Sequence, residues 1–187
     1  MTTLPQIEIR RPARADARRN YDALVGAARQ AFSELGTDAP LEEIARRAGV
    51  GIATLYRNFP TRDVLVEAVY VAEVEAVAAA AEDVSAMPPY EALRTWLGRF
   101  VHYAGTKRVL MESMNRNSPA LKGCSQALYA AGRPLLERAQ AAGEVRSDVG
   151  VDDILRMVTG ISGYRYADPE QLYRVLGIAL DGLRAPR

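Results

Sequence analysis

Thr54, Tyr56, Arg57 and Asn58 put two hydroxyls, a guanidinium and a carboxamide into one short run, just after the compact residues Gly51, Ile52 and Ala53. That combination suits a nucleic-acid groove. Hydroxyls and guanidinium groups bond phosphate oxygens, guanidinium and amide groups reach base edges, and short side chains let the backbone approach closely. Arg46 before the run adds a cation that could reach a phosphate, although a solvated role suits it as well. Catalytic chemistry is much thinner. The chain has one histidine, His102, and one cysteine, Cys124, in different segments, and a nucleophile needs a base and an orienting group beside it. On a helix whose apolar stripe holds Leu93, Phe100 and Ala104, a step of about 100° per residue turns His102 nearly opposite that stripe. Metal ligation at structural spacing is equally absent from the pattern. The expectation is a binding protein rather than an enzyme, with no cofactor and no metal.

The elements that must position these residues are helices. Tyr21, Leu24, Val25, Ala28, Phe32 and Leu35 fall on one face of a helix that begins near Asp16, and Gly36 stops it. Pro40 suits the first turn of a second, short helix. Leu41, Ile44 and Ala45 point inward there, while Glu42, Glu43, Arg46 and Arg47 point out. Gly49 permits a sharp turn and Val50 plugs the gap between helices. A third helix over residues 52–59 buries Leu55 and Phe59, and Pro60 closes it. Thr61 caps a fourth helix, which opens with Arg62 and Asp63 and runs to about residue 85. Two short helices about a glycine turn have the dimensions of a helix-turn-helix. An ordinary helical hairpin has the same dimensions, so geometry alone leaves both readings open.

Later segments are helical as well. Met87-Pro88-Pro89 interrupts the chain, and separate stripes follow over 93–104, 121–139 and 154–161. Asp168-Pro169-Glu170 is a helix start with a cap, a proline at the first position and an acid in the first turn. No strand alternation or internal repeat stands out. The predicted fold is all-α with about nine helices. The expected organisation is a basic arm over 1–14, a helix-turn-helix domain over 15–62, and a helical domain over 63–187, with the joint between the two lying inside the fourth helix. Arg10, Arg11 and Arg14, with Arg18 and Arg19 beyond them, make the arm either a solvated tail or a segment that touches DNA.

The bulk figures agree with a cytoplasmic globular protein. The 187 residues are 49% hydrophobic and 25% charged, with a net charge of +1, so any basic surface must be local. A single cysteine suits a reducing compartment. The most apolar run, 64–84, is broken by Glu67, Glu73, Glu75, Glu82 and Asp83, which argues against a membrane span.

Residues 18–72 resemble the N-terminal domain of the TetR family of bacterial transcriptional regulators. Three segments carry the likeness in order and spacing: LVGAARQAFSELG, LEEIARRAGVGIATLYRNF and PTRDVL. The resemblance implies a recognition helix over 52–59. DNA would be contacted by Arg46, Gly51, Ile52, Ala53, Thr54, Tyr56, Arg57, Asn58 and Arg62, with Thr54 and Tyr56 at positions that usually touch DNA and Arg62 at one that grips a phosphate. Thr54 is equally suited to capping its own backbone; Tyr56 also has a reading as a core-edge tyrosine, with DNA contact preferred in this motif. Four positions depart from the family pattern: Pro40 replaces a common threonine, Gly51 a serine, Ala53 a glycine and Asn58 a histidine. Pro40 removes one phosphate contact, and the others bear on which bases are read.

The family also implies a homodimer on a palindromic double-stranded operator and a small-molecule effector that releases a repressor from it. Trp96, Phe100, Tyr103, Met111, Met114, Cys124, Leu128, Tyr129 and Met157 are the candidate pocket lining, although taken one by one these residues are better accounted for as a hydrophobic core. Asn115, Asn117, Tyr164 and Tyr166 offer polar contacts. Ile154, Val158, Ile161, Leu172, Val175, Leu176, Ala179 and Leu183, on the last two helices, are the candidate dimer face. Two rival readings stand: an activator or ligand-independent regulator of the same family, and a helical scaffold whose helix-turn-helix is only structural.

Overall fold

A computed structural model describes residues 11–111, 119–164, 166 and 168–185. Most of the basic arm lies outside these residues, as do Met114, Asn115, Asn117 and the side chains of His102 and Met111. Among the described residues there are eight helices rather than nine: α1 (Ala15–Leu35), α2 (Leu41–Arg47), α3 (Ile52–Asn58), α4 (Arg62–Asp83), α5 (Pro89–Met111), α6 (Pro119–Ala141), α7 (Val151–Gly163) and α8 (Pro169–Asp181). The apolar stripe of α6 passes unbroken through Pro134, which sits inside that helix.

The helices form two compact units. One holds α1 to α3 and α4 through Glu73, with described residues between Thr106 and Cys124. The other holds α4 from Val74, α5 through Gly105, and the chain from Ser125 onward.

In the first unit, α1 buries Tyr21, Leu24, Val25, Ala28, Ala31 and Phe32 on a single face. Gly36, at φ 80°, turns the chain out of α1, and its N–H bonds the Phe32 carbonyl at 3.0 Å. Pro40 is the N-cap of α2, one place before its first helical residue, and its carbonyl accepts from the Ile44 N–H at 3.2 Å. At the other end of α2, the Val50 N–H reaches back to Ala45 O at 3.0 Å and the Gly49 N–H to Arg46 O at 3.1 Å. This paired closure needs a left-handed residue, and Gly49 supplies it at φ 69°. Leu55 of α3 is fully enclosed, and Phe59 just beyond packs on Tyr21 with ring centroids 4.9 Å apart. An ion pair of 3.2 Å between Arg29 and the buried Glu73 straps α1 to α4.

In the second unit Trp96 is fully buried, and its indole N–H donates to Val77 O of α4 at 2.9 Å. Its ring packs closely against α6 at Gly132, where a Cβ would stand 2.6 Å from the indole. Tyr90 is anchored through its hydroxyl to Leu180 O at 3.1 Å, with the Arg184 guanidinium 4.0 Å over its ring. Val145 and Arg184 form an isolated antiparallel bridge that ties the end of the described chain to the turn after α6. Asp168 caps α8 by accepting from Glu170 N at 2.8 Å, with Pro169 at the first helical position, as its sequence predicts. Among the described residues no helix is long and apolar enough to cross a membrane.

Candidate nucleic-acid interface

A seven-residue helix has little stability alone, so α3 is oriented by what it buries. Leu55 and Phe59 plug it into the head. Its other side carries Gly51, Ile52, Ala53, Tyr56 and Arg57, all exposed, with Thr54 and Asn58 half-buried at the edges. Ile52 at 36% and Tyr56 at 47% exposure are large apolar groups that the chain leaves in water. The compact residues come first and the long polar ones last, so the start of α3 can approach a groove floor while Tyr56 and Arg57 reach outward. Asn58 spends one amide hydrogen on Thr54 O at 2.8 Å, inside its own helix.

The cations around α3 are more committed than the sequence suggests. Arg46 makes a two-pronged pair with Glu43 at 2.7 and 2.8 Å. Arg47 bonds the same carboxylate at 2.8 Å and reaches Glu34 of α1 at 2.8 Å. The Arg46 hydrogen bond, with Arg47 next, holds the Glu43 carboxyl down at about 2. Arg46 is well exposed, and a surface pair of this kind is screened and exchanged at small cost, so it remains available to a phosphate. Arg47 is the more enclosed of the two and joins α1 to α2. Glu43 was legible as a helical partner three residues from Arg46 and four from Arg47; Glu34, thirteen residues from Arg47, was not. Arg62 directs Nη1 to two backbone carbonyls, Thr37 O and Ala39 O, each at 2.6 Å.

The candidate pocket residues lie mainly inside. Trp96, Phe100, Tyr103, Cys124 and Leu128 are buried, while Tyr129 and Met157 are half-buried. Trp96, Phe100 and Tyr103 form a row along α5, with centroids 6.2 and 5.5 Å apart. Tyr129 donates to Asp152 at 2.6 Å, which raises the phenol's pKa because ionisation would set two anions side by side. A cleft of about 260 Å³ opens among Ala78, Ala79, Glu82, Ala131, Pro134 and Arg138, and none of the nine predicted residues is among its described lining.

The candidate dimer face divides in two. Ile154, Val158, Leu176 and Leu183 are buried in the chain's own core, so they are not surface that a partner could cover. Ile161, Leu172, Val175 and Ala179 are half-buried. Ile178, which the periodicity reading passed over, is 74% exposed beside them. A helical wheel places Leu172, Val175, Ile178 and Ala179 on one side of α8.

Comparison with known proteins agrees with this arrangement. The profile for bacterial regulatory proteins of the tetR family matches residues 24–69, and that for the C-terminal domain of SbtR-like transcriptional regulators matches residues 88–185. A TetR transcriptional regulator from Streptomyces coelicolor is 39% identical, with 89% of this chain and 99% of that one covered and a TM-score of 0.78. A TetR regulator from Mycobacterium vanbaalenii is 34% identical over 93% of this chain and 100% of its own, with a TM-score of 0.75. A regulator of the same family from Rhodococcus sp., 19% identical over 89% and 99% of the two chains with a TM-score of 0.69, shares the fold. No curated protein matches the chain. A helix-turn-helix head closed by Gly49, the all-helical remainder and matches to both parts lead to one conclusion: the chain belongs to the TetR family of bacterial transcriptional regulators.

Proposed function

We propose that the chain is a cytoplasmic, homodimeric repressor that holds a palindromic operator through α3 and releases it when a small molecule binds the helices beyond α4. The observation that carries the reading is the outward side of α3, where Ile52, Ala53, Tyr56 and Arg57 face solvent on a helix locked from behind by Leu55 and Phe59. Such a face has no role in the chain's own core and has the shape and donors of a groove reader. The half-exposed apolar side of α8 supports a second copy, which a palindromic site requires. The aromatic row of α5 supports an uncharged or aromatic effector. α4 contributes residues to both compact units, which suits it to carry an effector's influence towards the head. Release then depends on the effector binding one spacing of the two heads better than the other.

The test is a titration of the dimer against duplex DNA taken from beside its own gene, over a range of salt. Log affinity should fall steeply and linearly with log salt, because bound phosphates release counterions. Absence of sequence-selective binding at moderate salt sinks the reading and favours the structural scaffold.

A further inference from the structure

We propose that Arg62 is a positioning residue of the DNA-binding head, a clamp that fixes the approach to α2, rather than a phosphate ligand. The inference rests on the DNA-binding reading above. Arg62 is the first residue of α4, where a cation meets the positive end of the helix dipole and is disfavoured. Two carbonyl dipoles offset that. One nitrogen, Nη1, donates to Thr37 O and to Ala39 O at 2.6 Å each. These carbonyls belong to the connection between α1 and α2. Ala39 is itself 1% exposed, and a buried carbonyl needs a donor. The connection ends at Pro40, the N-cap of α2. Holding it at two points therefore sets where α2 begins, and α2 delivers α3 through the Gly49 turn. Arg62 is half-buried, so its guanidinium is partly withdrawn from solvent, while Arg57 and Arg46 stay outside.

The clamp is tested on the full-length protein with Arg62→Met, which keeps an unbranched apolar stem and loses charge and donors. In the protein without DNA, amide exchange across residues 36–44 should quicken about tenfold, the worth of roughly one charge-assisted hydrogen bond. With duplex DNA from beside the gene, affinity should fall by a similar factor while the slope of log affinity against log salt stays that of the wild type. A slope shallower by about one, the signature of a lost phosphate contact, with exchange unchanged, overturns the proposal. Arg62→Lys serves as the second variant, and the only one needed if the methionine chain does not fold. Lysine is one bond shorter and keeps its charge, so a clamp loosens while a phosphate contact survives. Wild-type affinity in Arg62→Lys together with fast exchange in the loop also overturns the proposal. Failure of the DNA reading shows separately, as loss of selective, salt-dependent binding by the wild type.

Discussion

Tyr56 and Glu43 show how differently single residues contribute to one surface. Tyr56 leaves nearly half of a large side chain in solvent, more than its packing on the chain requires. Tyr56→Ala should weaken operator binding by roughly tenfold to a hundredfold, the scale of one or two lost contacts, with melting temperature and dimer unchanged; fluorescence anisotropy on labelled duplex and sedimentation check it. Glu43 works in the opposite sense, organising cations without reading DNA. Its carboxyl is held at about 2, below the ordinary value of 4.5, by Arg46 first and Arg47 second. A depressed carboxylate stabilises the fold above its unfolded value and loses that contribution as pH falls through the folded one. The melting temperatures of wild type and Glu43→Gln should therefore differ at neutral pH, converge between about 4.5 and about 2, and show no change in difference from neutrality down to mild acid. Thermal scans at several pH values decide this.

Two glycines do different work at the scale of elements. Gly49 sits at φ 69° with open space where a Cβ would go. Its requirement is conformational, and Gly49→Ala should cost about 1 kcal/mol for the left-handed backbone. Gly132 is helical, and its requirement is space. An added Cβ would stand 2.6 Å from the Trp96 ring and 3.0 Å from Val151, and none of these neighbours is at the surface. Gly132→Ala should destabilise the chain by roughly 1–3 kcal/mol through overpacking, read from thermal unfolding followed by the emission of Trp96, the sole tryptophan. Gly49 was legible in the sequence because a turn between two short amphipathic segments calls for glycine. Gly132 was not: the residue that demands it lies thirty-six positions away on another helix. For the same reason the contacts of Trp96 with a carbonyl of α4 and the backbone of α6 were not legible in the sequence.

For the whole molecule, the open question is the second copy. The side of α8 bearing Leu172, Val175, Ile178 and Ala179 is apolar and partly exposed. Ile178→Glu would place a charge in a covered interface, where burial without a partner is costly. The wild type should sediment as a dimer and Ile178→Glu as a folded monomer with much weaker operator binding. A variant that remains dimeric removes this side from the interface.

Helix identity, the ends marked by Gly36, Gly49 and Asp168, and the outward placing of Ile52, Ala53, Tyr56 and Arg57 were all determined by the sequence itself. Each depends on neighbours within about one or two helical turns: periodicity, caps and turn glycines act locally, and the ordered three-segment likeness added the family. Tertiary structure decided the rest. It buried Ile154, Val158, Leu176 and Leu183 in the chain's own core and left Ile178 outside, a division that periodicity cannot make because both sets fall at helical spacing. It also turned Arg62 from a lone cation beside the recognition helix into a group bonded to Thr37 and Ala39, more than twenty residues back along the chain. Contacts between residues so far apart in sequence follow from how helices pack, and no local pattern encodes them.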